Sequence, residues 1–252
     1  SVNKIEYVTF SSLGNAADFG NLTESVQYPG GASNSVRGIR MGGATPTRVN
    51  VIDYFTMAST GNATDFGNLS AAKQEPGTFA SPTRAITGGG FTGSYINVIE
   101  YVEIATTGNA IDFGDLTQTF GAQANSNNCS STRGIFAGGY EAPSDSQTSD
   151  IEKIEIASTG NSVKFGNLSV TRGYCGSVSN SVRGVQGGGN NPSKLNTIDY
   201  QTYANGGTSL DFGDLSSSRA TSVGTSNAHG GLNEGYQGTR PTYIQGLSLI
   251  HI

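Results

Sequence analysis

One phrase recurs five times along this chain, and it constrains the fold more than any single residue does. Its cleanest copy, IEYVEIATTGNAIDFGDL, runs from Ile99 to Leu116; the others open at Ile5, Ile52, Ile151 and Ile198. The intervals between these isoleucines are 47, 47, 52 and 47 residues. A phenylalanine follows each isoleucine by 14 positions, at Phe19, Phe66, Phe113, Phe165 and Phe212. Self-similarity at a fixed period signals one body made of like units.

Each copy reads as a short strand, a turn and a second strand. Apolar and polar residues alternate from the isoleucine onward, which is a strand pattern. The turn is Leu13-Gly14-Asn15, Thr60-Gly61-Asn62 or Thr107-Gly108-Asn109. Gly and Asn tolerate positive φ, as tight hairpins require. The second strand carries the phenylalanine and exits through a leucine, as in Asp18-Phe19-Gly20-Asn21-Leu22. A small-residue segment follows, such as Gly173-Tyr174-Cys175-Gly176-Ser177, which suits a strand squeezed where units converge. A fourth strand, Arg37-Gly38-Ile39-Arg40-Met41 and its counterparts, ends in paired glycines. Four short strands per unit, arranged around a ring, describe a β-propeller. A β-solenoid is the alternative, but its coils are shorter, roughly 20 to 30 residues.

The expected fold is therefore all-β: a five-bladed β-propeller of four-stranded antiparallel blades in residues 1–240. The chain starts on two outer strands and ends its repeats on two inner ones, Thr221 to Asn227 and Ala228 to Gly235. Pairing the first two strands with the last two closes the ring and removes edges that would otherwise aggregate. Residues 241–252 read as the start of a sixth repeat followed by a non-native tail, because Leu247 to Ile252 is similar to a translated sequencing adapter. The chain has no initiator Met and no signal-type leader, and it reads as part of a longer protein.

Composition narrows the partners. There are 37 glycines and no Trp, and charged residues are only 13% of the chain. The net charge is −5 with arginines scattered singly, so no basic stripe suits nucleic acid. No apolar run approaches the roughly 18 residues of a membrane helix. Cys129 and Cys175 fall at different offsets in their repeats, so they build no repeating disulfide framework and do not report the compartment.

The order of these signals resembles the kelch repeat. In that family a hydrophobic strand ends in Gly-Gly, then come a loop, a strand with an aromatic, an outer strand with Trp and an Arg-containing link. Here Gly138-Gly139, Ile151, Phe165 and Arg172-Gly173 keep the order, as do Gly88-Gly89, Tyr101 and Phe113. Phe stands where the family has Trp, and Glu234-Gly235 replaces Gly-Gly in the fifth copy. The wording also resembles a kelch-like group in structural proteins of marine bacteriophages, as in Ser130 to Gly139. That resemblance implies a virion, tail-fibre or extracellular setting.

Catalytic readings fare poorly. Asp65-Phe66-Gly67 spells a kinase metal-binding triplet, but the same letters recur at Asp18, Asp112 and Asp211 without the accompanying motifs. Gly88-Gly89-Gly90 lacks the Lys-Ser/Thr of a phosphate loop. His229 and His251 are the only histidines, and no metal-ligand spacing occurs. No cofactor is implied. Glu6, Asp53, Glu100, Glu152 and Asp199 recur once per unit, which marks scaffold. Arg37, Arg84, Arg133 and Arg183 recur likewise, as donors to carbonyls or acids. Asn21, Asn68 and Asn167 match a glycosylation pattern, yet Asp115 and Asp214 replace them, which suggests turn capping.

The candidate ligand-binding residues are those that break the repeat. Tyr28, Glu75 and Tyr174 share one position, six after the leucine, where the residue is not constant between repeats. Tyr140 opens an inserted loop, Tyr140 to Asp150, and inserted loops concentrate function. Exposed aromatics stack on sugars and anchor protein interfaces. The expectation is a non-enzymatic module that recognises a cell-surface glycan or protein, without nucleic acid or membrane insertion. The alternative is a decoration module that contacts only other virion proteins.

Overall fold

Alternating side chains and β-branched residues do make strands of the repeated phrase. The computed structural model describes residues 2–9, 11–121 and 128–224, and all regular structure among them is β. The first sheet contains, in order, Gly30–Ser33, Arg37–Met41, Val51–Thr56 and Thr64–Asn68, all antiparallel. The second repeats this with Gly77–Ala80, Arg84–Gly88, Ile96–Glu103 and Ile111–Gly121. The third contains Arg133–Ala137, Asp150–Glu155 and Val163–Asn167, with Gly207–Thr208 parallel on its outer edge. The fourth contains Gly176–Ser179, Arg183–Gly187, Thr197–Thr202 and Leu210–Asp214. Val2–Tyr7 and Ala17–Val26 form a two-stranded hairpin. The first, second and fourth sheets thus join the small-residue and Gly-Gly strands of one repeat to the isoleucine and phenylalanine strands of the next, whereas the third, among the described residues, departs from the expected antiparallel four: its fourth strand is the parallel Gly207–Thr208.

The phenylalanine is a bulge residue in every copy. Ile52 pairs with Gly67 and Asp53 with Asp65, so Phe66 has no opposite partner. The same skip passes over Phe19, Phe113, Phe165 and Phe212. A bulge bends the strand and re-aims one side chain. Four of the rings meet a tyrosine edge to face: Tyr7–Phe19, Tyr54–Phe66, Tyr101–Phe113 and Tyr200–Phe212, with centroids 5.7–6.0 Å apart. Lys153 replaces the tyrosine over Phe165.

The apolar core lies between consecutive sheets. Phe66 and Leu69 of the first sheet pack with Ala85, Val102 and Ile104 of the second. Phe113 and Leu116 pack with Phe136, Ile154 and Ile156 of the third. Burial is not equal for the five phenylalanines, contrary to expectation. Phe19, Phe66 and Phe113 are buried, whereas Phe212 is 57% exposed. The physical reason is that each ring is covered by the sheet that follows it, and Phe212, though Tyr200 of its own sheet meets it, has no following sheet over it among the described residues.

The turns clamp one sheet to the next. The Gly108 and Ala110 N–H groups donate to the Phe66 and Asn68 carbonyls, both at 2.8 Å, and Asn109 Oδ1 accepts from the Asn68 N–H at 3.0 Å. Asn62 and Asn161 do the same for Asn21 and Asp115. The capping side chain is therefore the turn asparagine. At Asn68 and Asp115 it is the backbone that is used, which corrects the role expected of that position. A Cβ on Gly67 would run into the Gly108 carbonyl, and its φ is +147°, which explains the glycine of the Asp-Phe-Gly triplet.

The repeated acids hold the same seams from inside. Asp53, Glu100, Glu152 and Asp199 are at most 2% exposed. Each accepts from a Ser or Thr just after the preceding leucine: Thr23, Ser70, Thr117 or Ser169. Arg40, Lys73 and Arg172 neutralise Asp53, Glu100 and Asp199. Glu6 is the exception, exposed beside Lys4. The repeated arginines reach backbone carbonyls of the following sheet: Arg37 bonds Ile104 O at 2.6 Å and Arg84 bonds Ile156 O at 3.0 Å. Burial pushes the thiols of Cys129 and Cys175 up to about 12 and about 11.

The proposed closing strand Ala228 to Gly235, residues 225–227 of the strand before it, and residues 241–252 lie outside the described residues. Thr221 to Gly224 are described and are not in a strand, contrary to expectation, although Gly224 packs on Ser177 and Val178 of the fourth sheet. A cavity of about 720 Å³ is bordered by the hairpin at Lys4 to Glu6, by Tyr28 to Ser33 and by Thr221 and Val223. The beginning and end of the described chain therefore meet around one space.

Candidate ligand-binding face

The Gly-Gly strands give each sheet two dissimilar ends. At the arginine end, side chains and Thr-Gly-Asn turns bond the neighbouring sheet. At the Gly-Gly end, the pair turns the chain through φ of 63° and 112° at Gly42 and Gly43, and the later pairs match closely. The second glycine N–H then donates to a carbonyl just ahead of the next small-residue strand: Gly43 to Lys73, Gly90 to Phe120, Gly139 to Arg172 and Gly189 to Arg219.

That anchor fixes the residue entering each small-residue strand. Tyr28, Glu75, Tyr174 and Thr221 all adopt a left-handed backbone, with φ of 55°, 58°, 55° and 55°. For a non-glycine residue this conformation costs about 1–2 kcal/mol. Hydrogen bonds between neighbours hold it, from Glu75 N–H to Tyr28 O and from Thr221 N–H to Tyr174 O, both at 2.9 Å. The backbone is the same in all four described copies, while the side chain is Tyr, Glu, Tyr and Thr in turn. Glycine, the cheapest residue for this conformation, occupies none of them.

The four sequence candidates meet at this end. Tyr174 donates its hydroxyl to Glu75 Oε2 at 3.2 Å, although 99 residues separate them. The rings of Tyr140 and Tyr174 lie 5.5 Å apart. Tyr28 is 49% exposed and presents its carbonyl to Glu75. Burial raises the Glu75 carboxyl above its ordinary value, partly offset by hydrogen bonds from Tyr174 and Gln74. Burial, then the charge of Glu75, raises the Tyr174 phenol.

The structure adds residues that sequence reading missed. Tyr95 stacks beside Tyr140 with centroids 6.4 Å apart and donates to Asp145 Oδ1 at 2.9 Å. Phe91 meets Tyr95 at 5.3 Å, and the Arg48 guanidinium lies 5.0 Å over Phe91. The result is a continuous surface from Arg48 through four aromatic rings to Glu75. The signal was present: the residue after each Gly-Gly pair is Ala44, Phe91, Tyr140 or Asn190, a second variable position on an unvarying backbone. The inserted loop builds a small hairpin, Tyr140–Glu141 with Ser146–Gln147, that extends the second sheet's edge at Phe120 and Gly121.

Chemically this face offers aromatic planes, phenol donors and carboxylate acceptors. Among the described residues no group of three or more His, Cys, Asp or Glu is placed to hold a metal ion. No protein-family model and no curated protein matches this chain.

Proposed function

We propose that the sheets are blades of a five-bladed, kelch-like propeller and that its Gly-Gly end binds a ligand without catalysis. The meeting of Thr221 and Val223 with Tyr28 and Lys4 around one cavity supports a ring of five, closed by the remaining C-terminal strands against the hairpin. The ligand is a cell-surface glycan or protein, and the setting is a phage virion or tail fibre, in keeping with the resemblance of the repeat.

One observation carries the binding reading. Four repeats keep a left-handed backbone that favours glycine, yet none uses glycine there: two project a tyrosine, one a glutamate and one a threonine. Strain retained at equivalent positions with changing side chains is the pattern of a site presented on a scaffold. A glycan array probed with the purified chain tests it. Specific binding that Tyr174→Ala and Tyr140→Ala abolish supports recognition. A blank array, with assembly into larger particles, supports a decoration role, and turnover of a polysaccharide overturns both.

A further inference from the structure

The frame and the face treat aromatic rings differently. In the frame, three of the four tyrosines that meet a phenylalanine carry their own cations: Arg37 lies 4.5 Å over Tyr54, Arg84 4.5 Å over Tyr101 and Arg183 4.8 Å over Tyr200. At the Gly-Gly end, no described Lys or Arg covers Tyr28, Tyr140 or Tyr174 in this way. The carboxylates differ in the same sense. Asp53, Glu100 and Asp199 are buried against Arg40, Lys73 and Arg172, and Glu152, which has no described cation, is satisfied instead by hydrogen bonds from the Thr117 N–H and the Thr117 and Ser162 hydroxyls. Glu75 is half-buried, receives one phenol at 3.2 Å and one amide from Gln74 at 3.2 Å, and has no described cation within salt-bridge distance. Asp145 adds a second negative charge beside Tyr95. Arg48, at the far end of the aromatic run, is already engaged over Phe91.

We propose that the ligand of this face presents an organic cation, a protonated amine or a quaternary ammonium, to Glu75 and the Tyr140–Tyr174 pair. This rests on the reading of the Gly-Gly end as a binding face and names the chemistry it selects. An ammonium is attracted to the negative face of an aromatic ring, more strongly where water is excluded. It also supplies the charge that a half-buried carboxylate lacks. A neutral sugar would satisfy the rings but leave Glu75 without a counter-charge. Glu75 is well held for this role, because its backbone is fixed by Tyr28 O and Gln74 exchanges backbone hydrogen bonds with Phe91.

The test is calorimetric titration of the full chain with choline, glucosamine, lysine amide, glucose and N-acetylglucosamine. The first three separate a quaternary ammonium, an amino sugar and a protein side chain as the source of charge; the last two are neutral. The expected result is binding of at least one cation in the millimolar range or tighter, weakened tenfold or more by Glu75→Gln. Tyr174→Leu should weaken the same cation, and both variants should melt within a few degrees of wild type. If Glu75→Gln fails to fold, Tyr174→Leu decides alone. Cation binding indifferent to both variants overturns the inference. Tyr174-dependent binding of neutral glycans with no cation binding also overturns it but leaves the binding face intact. No binding by any probe, together with a blank glycan array, overturns both.

Discussion

At the scale of single residues, a bulge glycine and a turn glycine have opposite tolerances. Gly67 has positive φ, and the Gly108 carbonyl occupies the place of a Cβ, whereas a Cβ on Gly14 meets nothing within 4 Å. Gly67→Ala should cost about 2 kcal/mol or more, and Gly14→Ala should stay within about 0.5 kcal/mol, read from urea midpoints. Glu75 gives a pH signature. Its carboxyl is raised from the ordinary 4.5, so between 4.5 and the native value the folded state holds more proton than the unfolded one. Its contribution is then fully present below pH 4.5 and is lost as pH rises through the native value. Glu75→Gln should therefore leave stability unchanged near pH 4 and raise it at pH 7. Equal effects at both pH values would remove Glu75 from its half-buried setting.

At the scale of elements, the seam between sheets is a turn docked on a bulged strand. The same bonds occur three times, from Gly61, Gly108 and Gly160 to Phe19, Phe66 and Phe113. Removing the turn acceptor with Asn109→Ala leaves the Asn68 N–H without its partner and should cost about 1 kcal/mol. A melting point indistinguishable from wild type would show that solvent replaces Asn109 without loss. The seam also explains the phenylalanines. Phe113 is 2% exposed in the cluster between the second and third sheets, so Phe113→Ala should cost about 3–5 kcal/mol. Denaturant unfolding measures this, and a loss below about 1 kcal/mol would place the core elsewhere.

At the scale of the whole molecule, one seam is not made by the described residues. Leu13 is fully exposed at the first turn, and Leu210 and Phe212 are exposed on the last described strand. Their counterparts in the other repeats are the turn and the strand that Gly61, Gly108 and Gly160 join. If the ring closes on itself as proposed, Asn15 docks on Asp214 as Asn109 does on Asn68. Asn15→Ala should then cost about the same 1 kcal/mol as Asn109→Ala. Wild-type stability in Asn15→Ala, beside a measurable loss in Asn109→Ala, would leave the ring open at that point.

Much of the scaffold was legible in the amino-acid order. Period, strand content, the Gly-Gly ends and the structural character of the acids and arginines all follow from side-chain alternation and backbone tolerance, which are local properties. The positions of Tyr28, Glu75, Tyr140 and Tyr174 stood out because they vary inside an otherwise regular repeat. Their company did not. Tyr174 and Glu75 touch across 99 residues, and Tyr95, Phe91 and Asp145 join them, only because successive sheets turn the same end of each unit toward one place. Inequality among the phenylalanines was equally hidden, since burial depends on which sheet comes next in space. Local chemistry set the unit; the packing of units on one another decided which residues became neighbours.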